Sequence, residues 1–330
     1  MIWLGIVVIA MLLIYTILIF VSVFNLFSAK EHDDLSGFIP TEKISIIIPF
    51  RNEEQNIITC LEGIILQVYP TELIEIILVD DNSEDNSAKL AENFLRDKNV
   101  SFKLIDLHSQ NLFGKKSAIE CGISQSSGSI IITRDADTFT ESNLWLKTIA
   151  HQFKKTNADL ILAPVILSGN SFIQAFQRFE NVAITSLGYA FAKIKLPFVC
   201  SGANLAYKKS SFVKANPYKD NKHIPSGDDM FLLQCFLDEG FLISTTKNTK
   251  AIIYTAAETS LVQFINQRLR WASKAKNLHI KMAWFIGFIL LLSNLFLLLM
   301  CIYGFFGGIN YKFCLFALIY KCIIEFLLLF

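Results

Sequence analysis

Two stretches of this chain carry no Asp, Glu, Lys or Arg, and both exceed what the core of a soluble domain needs. The first lies between Met1 and Ala29 and contains "IWLGIVVIAMLLIYTILIFVSVF"; the second lies between Lys281 and Lys312 and reads "MAWFIGFILLLSNLFLLLMCIYGFFGGINY". A helix needs roughly 20 apolar residues to span hydrocarbon, where water cannot satisfy the backbone. No basic residue precedes the first run, and it is longer than the apolar core of a cleaved leader, so it reads as an uncleaved anchor. A third run starts at Phe313 and is interrupted by Lys321 and Glu325, whose spacing of four lets them share a helix face and pair.

The expected organisation follows: a transmembrane helix over 1–28, a polar linker over 29–43, a folded domain over 44–280 and two transmembrane helices over 281–330. Lys30 and Lys43 follow the first span, and Lys274, Lys276 and Lys281 precede the second. By the positive-inside rule the segment between them is cytoplasmic. The expectation is a multi-pass membrane protein, with the bacterial inner membrane as its location. The formal net charge of +1 leaves no electrostatic footprint for nucleic acid, and none is expected as a partner. The seven cysteines show neither metal-ligand nor CxxC spacing and read as free thiols in a reducing compartment.

Between the apolar runs, strand and helix signals alternate. "ISIIIPF" (44–50), "IEIILVDD" (74–81), "FKLIDL" (102–107) and "SIIITRD" (129–135) are short, β-branched and nearly continuous in apolar residues. Helical patterns occupy 52–67, with acidic residues in the first turn, 83–97, which opens on a Ser cap, and 114–125. Apolar strands alternating with helices imply an α/β fold, Rossmann-like, with a mostly parallel sheet covered by helices. Ligands bind such sheets at the carboxyl ends of the strands. The polar clusters fall there: "RNEE", "DDNSED" and "RDAD". Each alone fits a helix cap or a turn; three at successive strand ends describe the rim of one site. "GKKSA" lacks the spacing of a P-loop.

Taken in order, "SIIIPFRNEEQNI" (45–57), "IILVDDNSEDNS" (76–87), "GKKSAIECGI" (114–123), "IIITRDADTF" (130–139), "CSGANLAYKKSSF" (200–212), "SGDDMFLLQ" (226–234) and "QRLRW" (267–271) resemble the family 2 glycosyltransferases. With the flanking apolar runs, the likeness is to membrane-embedded members such as ceramide glucosyltransferases and polysaccharide synthases. The resemblance implies a GT-A fold and inverting transfer from a nucleotide-sugar donor, a UDP- or GDP-sugar, to a lipid or polysaccharide acceptor. It places Glu53 and Asp81, with Asp80 beside them, at the base and ribose, and Pro49, Arg51 and Lys115 in the donor-binding segments. Asp135 and Asp137 match the D-x-D pair that holds Mg²⁺ or Mn²⁺ on the diphosphate. Asp228 and Asp229 match the acidic box, with Asp229 as the base, and Gln267, Arg270 and Trp271 match the Q-x-x-R-W box, with Arg268 at an x position.

The chemistry is consistent with those roles. One carboxylate takes the acceptor proton, a cation offsets charge on the departing diphosphate, and Arg270 adds fixed positive charge. Two alternatives share the aspartates: a sugar-nucleotide-binding subunit without catalysis, and a nucleotidyltransferase of related fold. Residues 171–191 and 260–280 place apolar side chains at steps of three and four. They read either as core helices or as interfacial helices lying on a bilayer.

Overall fold

The computed structural model describes residues 2–27, 34–224, 226–275, 277–306 and 311–326. Lys30 and Lys276, and the side chains of Lys274 and Glu325, lie outside the described set. Much of the basic-flank argument and the Lys321–Glu325 pairing therefore rest on residues that are not described.

In chain order the elements begin with α1 (Ile2–Phe27), β1 (Ile44–Phe50), α2 (Ile57–Ile65), β2 (Ile74–Asp80), α3 (Ser87–Arg96), β3 (Ser101–Asp106) and α4 (Lys115–Gln125). They continue with β4 (Ile130–Thr133), β5 (Thr138–Phe139), α5 (Trp145–Thr156), β6 (Leu160–Leu162), β7 (Val165–Ser168), α6 (Phe172–Lys193), β8 (Leu205–Lys208) and α7 (Lys209–Ala215). The last are α8 (Asp228–Asp238), β9 (Ile243–Thr245), β10 (Ile253–Ala256), α9 (Leu261–Ala275), α10 (Lys281–Phe305) and α11 (Tyr311–Phe326).

The chain divides into two compact units. The larger, Lys30–Arg178 with Cys200–His279, holds both sheets. Its main sheet has the order β3-β2-β1-β4-β8-β6-β9, with β8 antiparallel to both neighbours and every other pairing parallel. Register runs from Ile44↔Ile74 to Phe50↔Asp80, so β1 and β2 end level. All seven side chains of β1 are buried, as a strand with helices on both faces requires. The core joins β1, β2 and β4 to Ile57, Leu61 and Ile64 of α2 and to Trp145, Leu146 and Ile149 of α5. A second sheet, β5-β10-β7, brings residues 138–139 beside residues 253–256.

Three expectations shift. Glu53 and Glu54 precede α2 rather than filling its first turn, because the chain after β1 first makes a tight loop at Asn52 (φ 57°). The α3 cap position is Asn86, and its side chain makes no capping bond. The helix expected over 260–280 ends at Ala275.

The other unit comprises Met1–Ala29, Phe179–Val199 and Ile280–Phe330. Polar side chains tie its helices together. Ser22 Oγ donates to Ala183 O (3.0 Å), Asn25 Nδ2 to Ser186 O (2.9 Å) and Ser186 Oγ to Ser22 O (2.7 Å), while Thr16 and Tyr320 share a 2.9 Å hydrogen bond. Such bonds hold apolar helices together where hydrophobic contact alone gives no selectivity. Lys321 is buried, with Nζ 4.7 Å from the Tyr15 ring centroid. Among the described residues α10 is long and apolar enough to cross a membrane, and α1 contains a shorter apolar stretch, Ile9–Asn25.

Candidate active site

The carboxyl ends of β1 and β2 open into two loops that hold each other. Asn52 N donates to Ser83 Oγ (3.0 Å) and Glu84 N to Asn52 Oδ1 (2.8 Å). Glu53 N donates to Ser87 Oγ (2.7 Å), and Asn86 N to Glu54 Oε2 (3.0 Å). Asn52 and Asn82 both take left-handed backbone (φ 57° and 63°), which asparagine tolerates better than most residues. The rim therefore carries Arg51 and Glu53 on a braced loop rather than on a helix.

Adjacent Asp80 and Asp81 do different things. Asp80 Oδ1 accepts from Ser83 N (2.9 Å) and closes the turn. Asp81 Oδ1 accepts from Gly114 N (2.8 Å), which ties the end of β2 to the start of α4. Gly114 has φ 85°, a conformation that strains any residue with a Cβ. This turn delivers Lys115 as the first residue of α4.

Lys115 Nζ lies 2.5 Å from Asp135 Oδ1 and 3.5 Å from Asp228 Oδ2. Burial disfavours its charge, but Asp135, Asp228 and Asp229 outweigh that and hold its pKa above the ordinary lysine value. Asp135 and Asp137 occupy the turn after β4. Asp137 accepts from Thr255 Oγ1 on β10 (3.3 Å). Its side chain reaches solvent, yet surrounding protein, then the carboxylates of Asp135 and Glu53, push its pKa up to about 6.

Arg134 braces this turn from beneath and was not singled out from the sequence. It is fully buried and lies 5.0 Å from the centroid of the Trp145 ring. Its Nε donates to Thr138 Oγ1 (2.9 Å) and Nη2 to Thr138 O (3.3 Å), while Thr138 Oγ1 donates to Asp135 O (2.6 Å). Asn204 was also missed. Its Oδ1 accepts from Trp145 Nε1 (3.0 Å), and its Nδ2 donates to Pro164 O and Ala251 O (both 2.9 Å). Asn204 gives no sequence signal for such a role because its partners lie far along the chain; Arg134 bonds close by, at Thr138, but nothing in the local pattern marks it as buried.

Asp228 and Asp229 open α8 after Gly227 (φ 86°), where the helix dipole favours carboxylates. Asp229 Oδ2 accepts from Gly202 N (3.3 Å), and Oδ1 from Met230 N (2.8 Å). Gly202 is a close-approach position. A Cβ there would lie 2.9 Å from Asp228 Oδ2 and 3.5 Å from Lys115 Nζ.

The structure thus brings Lys115, Asp135, Asp228 and Asp229 together, with Glu53 close enough to raise the pKa of Asp137. Among the described residues the α9 box makes contacts of its own. Gln267 Nε2 donates to Glu258 Oε1 (3.1 Å), and the Arg268 guanidinium lies over Phe264 (4.7 Å) and Trp271 (4.3 Å). Arg270 and Trp271 are exposed.

No group of three or more His, Cys, Asp or Glu side chains forms a ready metal cage among the described residues. Asp135 and Asp137 supply two hard oxygen donors in a site crowded with negative charge. That fits a divalent cation which takes the rest of its shell from phosphate and water.

Comparisons with known proteins bear on the family and the fold. Residues 45–214 match Glycosyl transferase family 2. Glycosyltransferase GlyG of Streptococcus pneumoniae is 34% identical over 122 residues, 37% of this chain and 38% of that protein. The undecaprenyl-phosphate 4-deoxy-4-formamido-L-arabinose transferase of Proteus mirabilis is 38% identical over 106 residues, 31% of each chain. The chain therefore spans between about a third and two fifths of the length of these relatives. Among solved structures, mannosyltransferase PcManGT of Pyrobaculum calidifontis, in complex with GDP-Man and Mn²⁺, superposes with a TM-score of 0.65 at 16% identity, over 99% of this chain and 95% of that one. At that identity the likeness is one of fold. With the family match extending from β1 through α7 and the acidic strand ends in place, the chain belongs to glycosyl transferase family 2.

Proposed function

We propose that the protein is a membrane-anchored, inverting glycosyltransferase of the membrane-embedded type. It transfers a sugar from a UDP- or GDP-sugar to a lipid or a growing glycan, with single transfer to a lipid preferred. One observation carries the reading: a single ammonium, Lys115, joins the strand-end carboxylate Asp135 to Asp228 beside Asp229. Donor-side and acceptor-side groups thus meet at one point.

In this mechanism Asp229 accepts the proton of the acceptor hydroxyl as that oxygen attacks the anomeric carbon opposite the leaving group. Lys115 offers positive charge at the donor phosphates. Asp135 and Asp137 are the residues that would hold a divalent cation, which would supply positive charge against the departing diphosphate. Asp81, Glu53, Pro49 and Arg51 line the nucleoside end. Gln267, Arg270 and Trp271 serve the acceptor side, Arg270 as fixed positive charge and Trp271 as an apolar face. The GDP-Man and Mn²⁺ of the PcManGT structure and the lipid phosphate in the name of the P. mirabilis relative support these donor, metal and acceptor classes.

Spans at 1–28 and within 281–330 anchor the domain at the cytoplasmic face. The exposed apolar residues Phe172, Phe176, Leu261, Val262 and Leu269 then meet the interface, where a lipid acceptor resides. The test incubates the purified protein with labelled nucleotide sugars, Mn²⁺ and lipid extract. Wild type releases nucleoside diphosphate and labels the organic phase, whereas Asp229→Asn binds donor without transfer. Normal turnover by Asp229→Asn, or release of pyrophosphate, overturns the proposal.

A further inference from the structure

We propose that Lys116 is a positioning residue that clasps the segment before α8 to the helix carrying Lys115, and so holds the base-side carboxylates in register with the donor side. The inference rests on the transferase reading above.

The starting observation is a pair of lysines in the first turn of α4, which contains no acidic residue. The helix dipole disfavours cations there, so each needs a specific partner. Lys115 has Asp135 and Asp228. Lys116 is only 4% exposed, and removing an ammonium from water is costly unless its donors are satisfied. Its Nζ donates to Asn221 O (2.8 Å) and Asn221 Oδ1 (2.6 Å). The ammonium also lies 4.1 Å from the centroid of the Phe231 ring, a favourable cation–π distance.

These contacts reach two places at once. Asn221 lies in the segment entering α8 and braces it, since its Nδ2 donates to Pro217 O (2.7 Å). Phe231 lies within the first turn of α8, two residues beyond Asp229. Consecutive residues on a helix point about 100° apart. One turn of α4 therefore sends Lys115 to the carboxylates and Lys116 to the segment that presents them. A lysine serving only to fill the core would be replaced at less desolvation cost by methionine.

The test uses the full-length protein with three variants: Lys116→Met, Asn221→Ala and Asn221→Asp, the last keeping the acceptor oxygens. Amide hydrogen exchange is followed across residues 216–231 beside kcat, KM and donor Kd. Lys116→Met and Asn221→Ala should each speed exchange in that segment by about tenfold, with β1 and β2 unchanged, and lower kcat about tenfold with donor Kd within about twofold. Asn221→Asp, which keeps the acceptor for Lys116 but loses the bond to Pro217 O, should fall between Asn221→Ala and wild type in both exchange and kcat. Unchanged exchange in 216–231 overturns the proposal. So does a uniform rise over the whole domain with unaltered kcat per folded molecule, the signature of a plain stability staple. Exchange needs no substrate. A wild type that transfers no sugar would therefore sink the transferase reading, while exchange still judges the clasp.

Discussion

Lys115 Nζ sits 2.5 Å from Asp135 Oδ1, and the same nitrogen is 3.5 Å from Asp228 Oδ2, so one cation bridges a carboxylate after β4 and one at the start of α8. Both partners of the shorter contact are about one-third exposed, so its value lies in arranging charge more than in stability. Lys115→Met should leave the melting temperature within a few degrees and reduce transfer about 10- to 100-fold, the range for a hydrogen bond to a charged group. Parallel thermal denaturation and initial-rate measurements check this; a folded variant with wild-type rates refutes it.

Asp137 behaves oppositely with respect to stability. Its pKa is raised from 3.8 to about 6, so the folded state holds its proton more tightly than the unfolded chain does. That contribution is present at acid pH and is lost as pH rises through the window from 3.8 to about 6. Removing the carboxylate at neutral pH therefore relieves repulsion from Asp135 and Glu53. Asp137→Ala should keep or slightly raise the melting temperature at pH 7 while weakening Mn²⁺-dependent donor binding by about tenfold or more. Calorimetric titration with donor, with and without Mn²⁺, reads the second effect. Undiminished metal dependence in the variant would remove Asp137 from the metal site.

Gly202 has no room for a methyl group: a Cβ would lie 2.9 Å from Asp228 Oδ2 and 3.5 Å from Asp229 Cβ. Gly202→Ala must push the acidic box aside. Overpacking of this kind costs about 1–3 kcal/mol, and the expected result is a lower melting temperature with transfer reduced more than the loss of folded protein explains. Activity that falls only in step with the folded fraction would show that the displaced carboxylates tolerate the shift.

Local patterns made much of this legible. β1 occupies residues 44–50 as read, because a run of six apolar residues interrupted only by Ser45 and bounded by polar ones has no better use than a buried strand. The acidic clusters fall at strand ends, since a parallel sheet places its loops there. What depended on distant partners stayed hidden. β8 enters antiparallel between β4 and β6, and β5 pairs with β10 from more than a hundred residues away. No local period encodes either pairing. Arg134 and Asn204 look like ordinary polar residues until Trp145 packs between them. Gly202 reads as a loop glycine until Asp228 closes over it. The α9 box was legible as a motif, and its spacing of three sets Arg268 against Trp271 on one helix face, whereas the bond from Gln267 to Glu258, which lies outside the helix, is conveyed by no such spacing.

At the opposite end of the strands, Glu75 is 2% exposed and joins three segments. Its Oε2 accepts from Ser45 Oγ (2.5 Å) and Ser127 N (2.7 Å), and Lys103 Nζ lies 3.4 Å from Oε1. Burial alone would raise its pKa, but the bonds from Ser45 and Ser127 and the Lys103 charge together hold it below the ordinary value of 4.5. A depressed carboxylate contributes stability that is present above 4.5 and is lost as pH falls through the lower folded-state value. Glu75→Gln replaces an acceptor with an amide group that faces the donors Ser127 N and Ser45 Oγ. At pH 7 this should cost on the order of 1–3 kcal/mol, the usual penalty for disrupting a hydrogen bond to a buried charged group. The gap in melting temperature between wild type and variant should then narrow as pH falls below 4.5, because the wild type takes up the proton that the variant never releases. Catalysis should be unaffected per folded molecule, since Glu75 is the second residue of β2, at the end away from Asp80. Denaturation curves across acid and neutral pH test the assignment, and a gap that stays constant throughout would mean that the Glu75 charge plays no part in holding these strands.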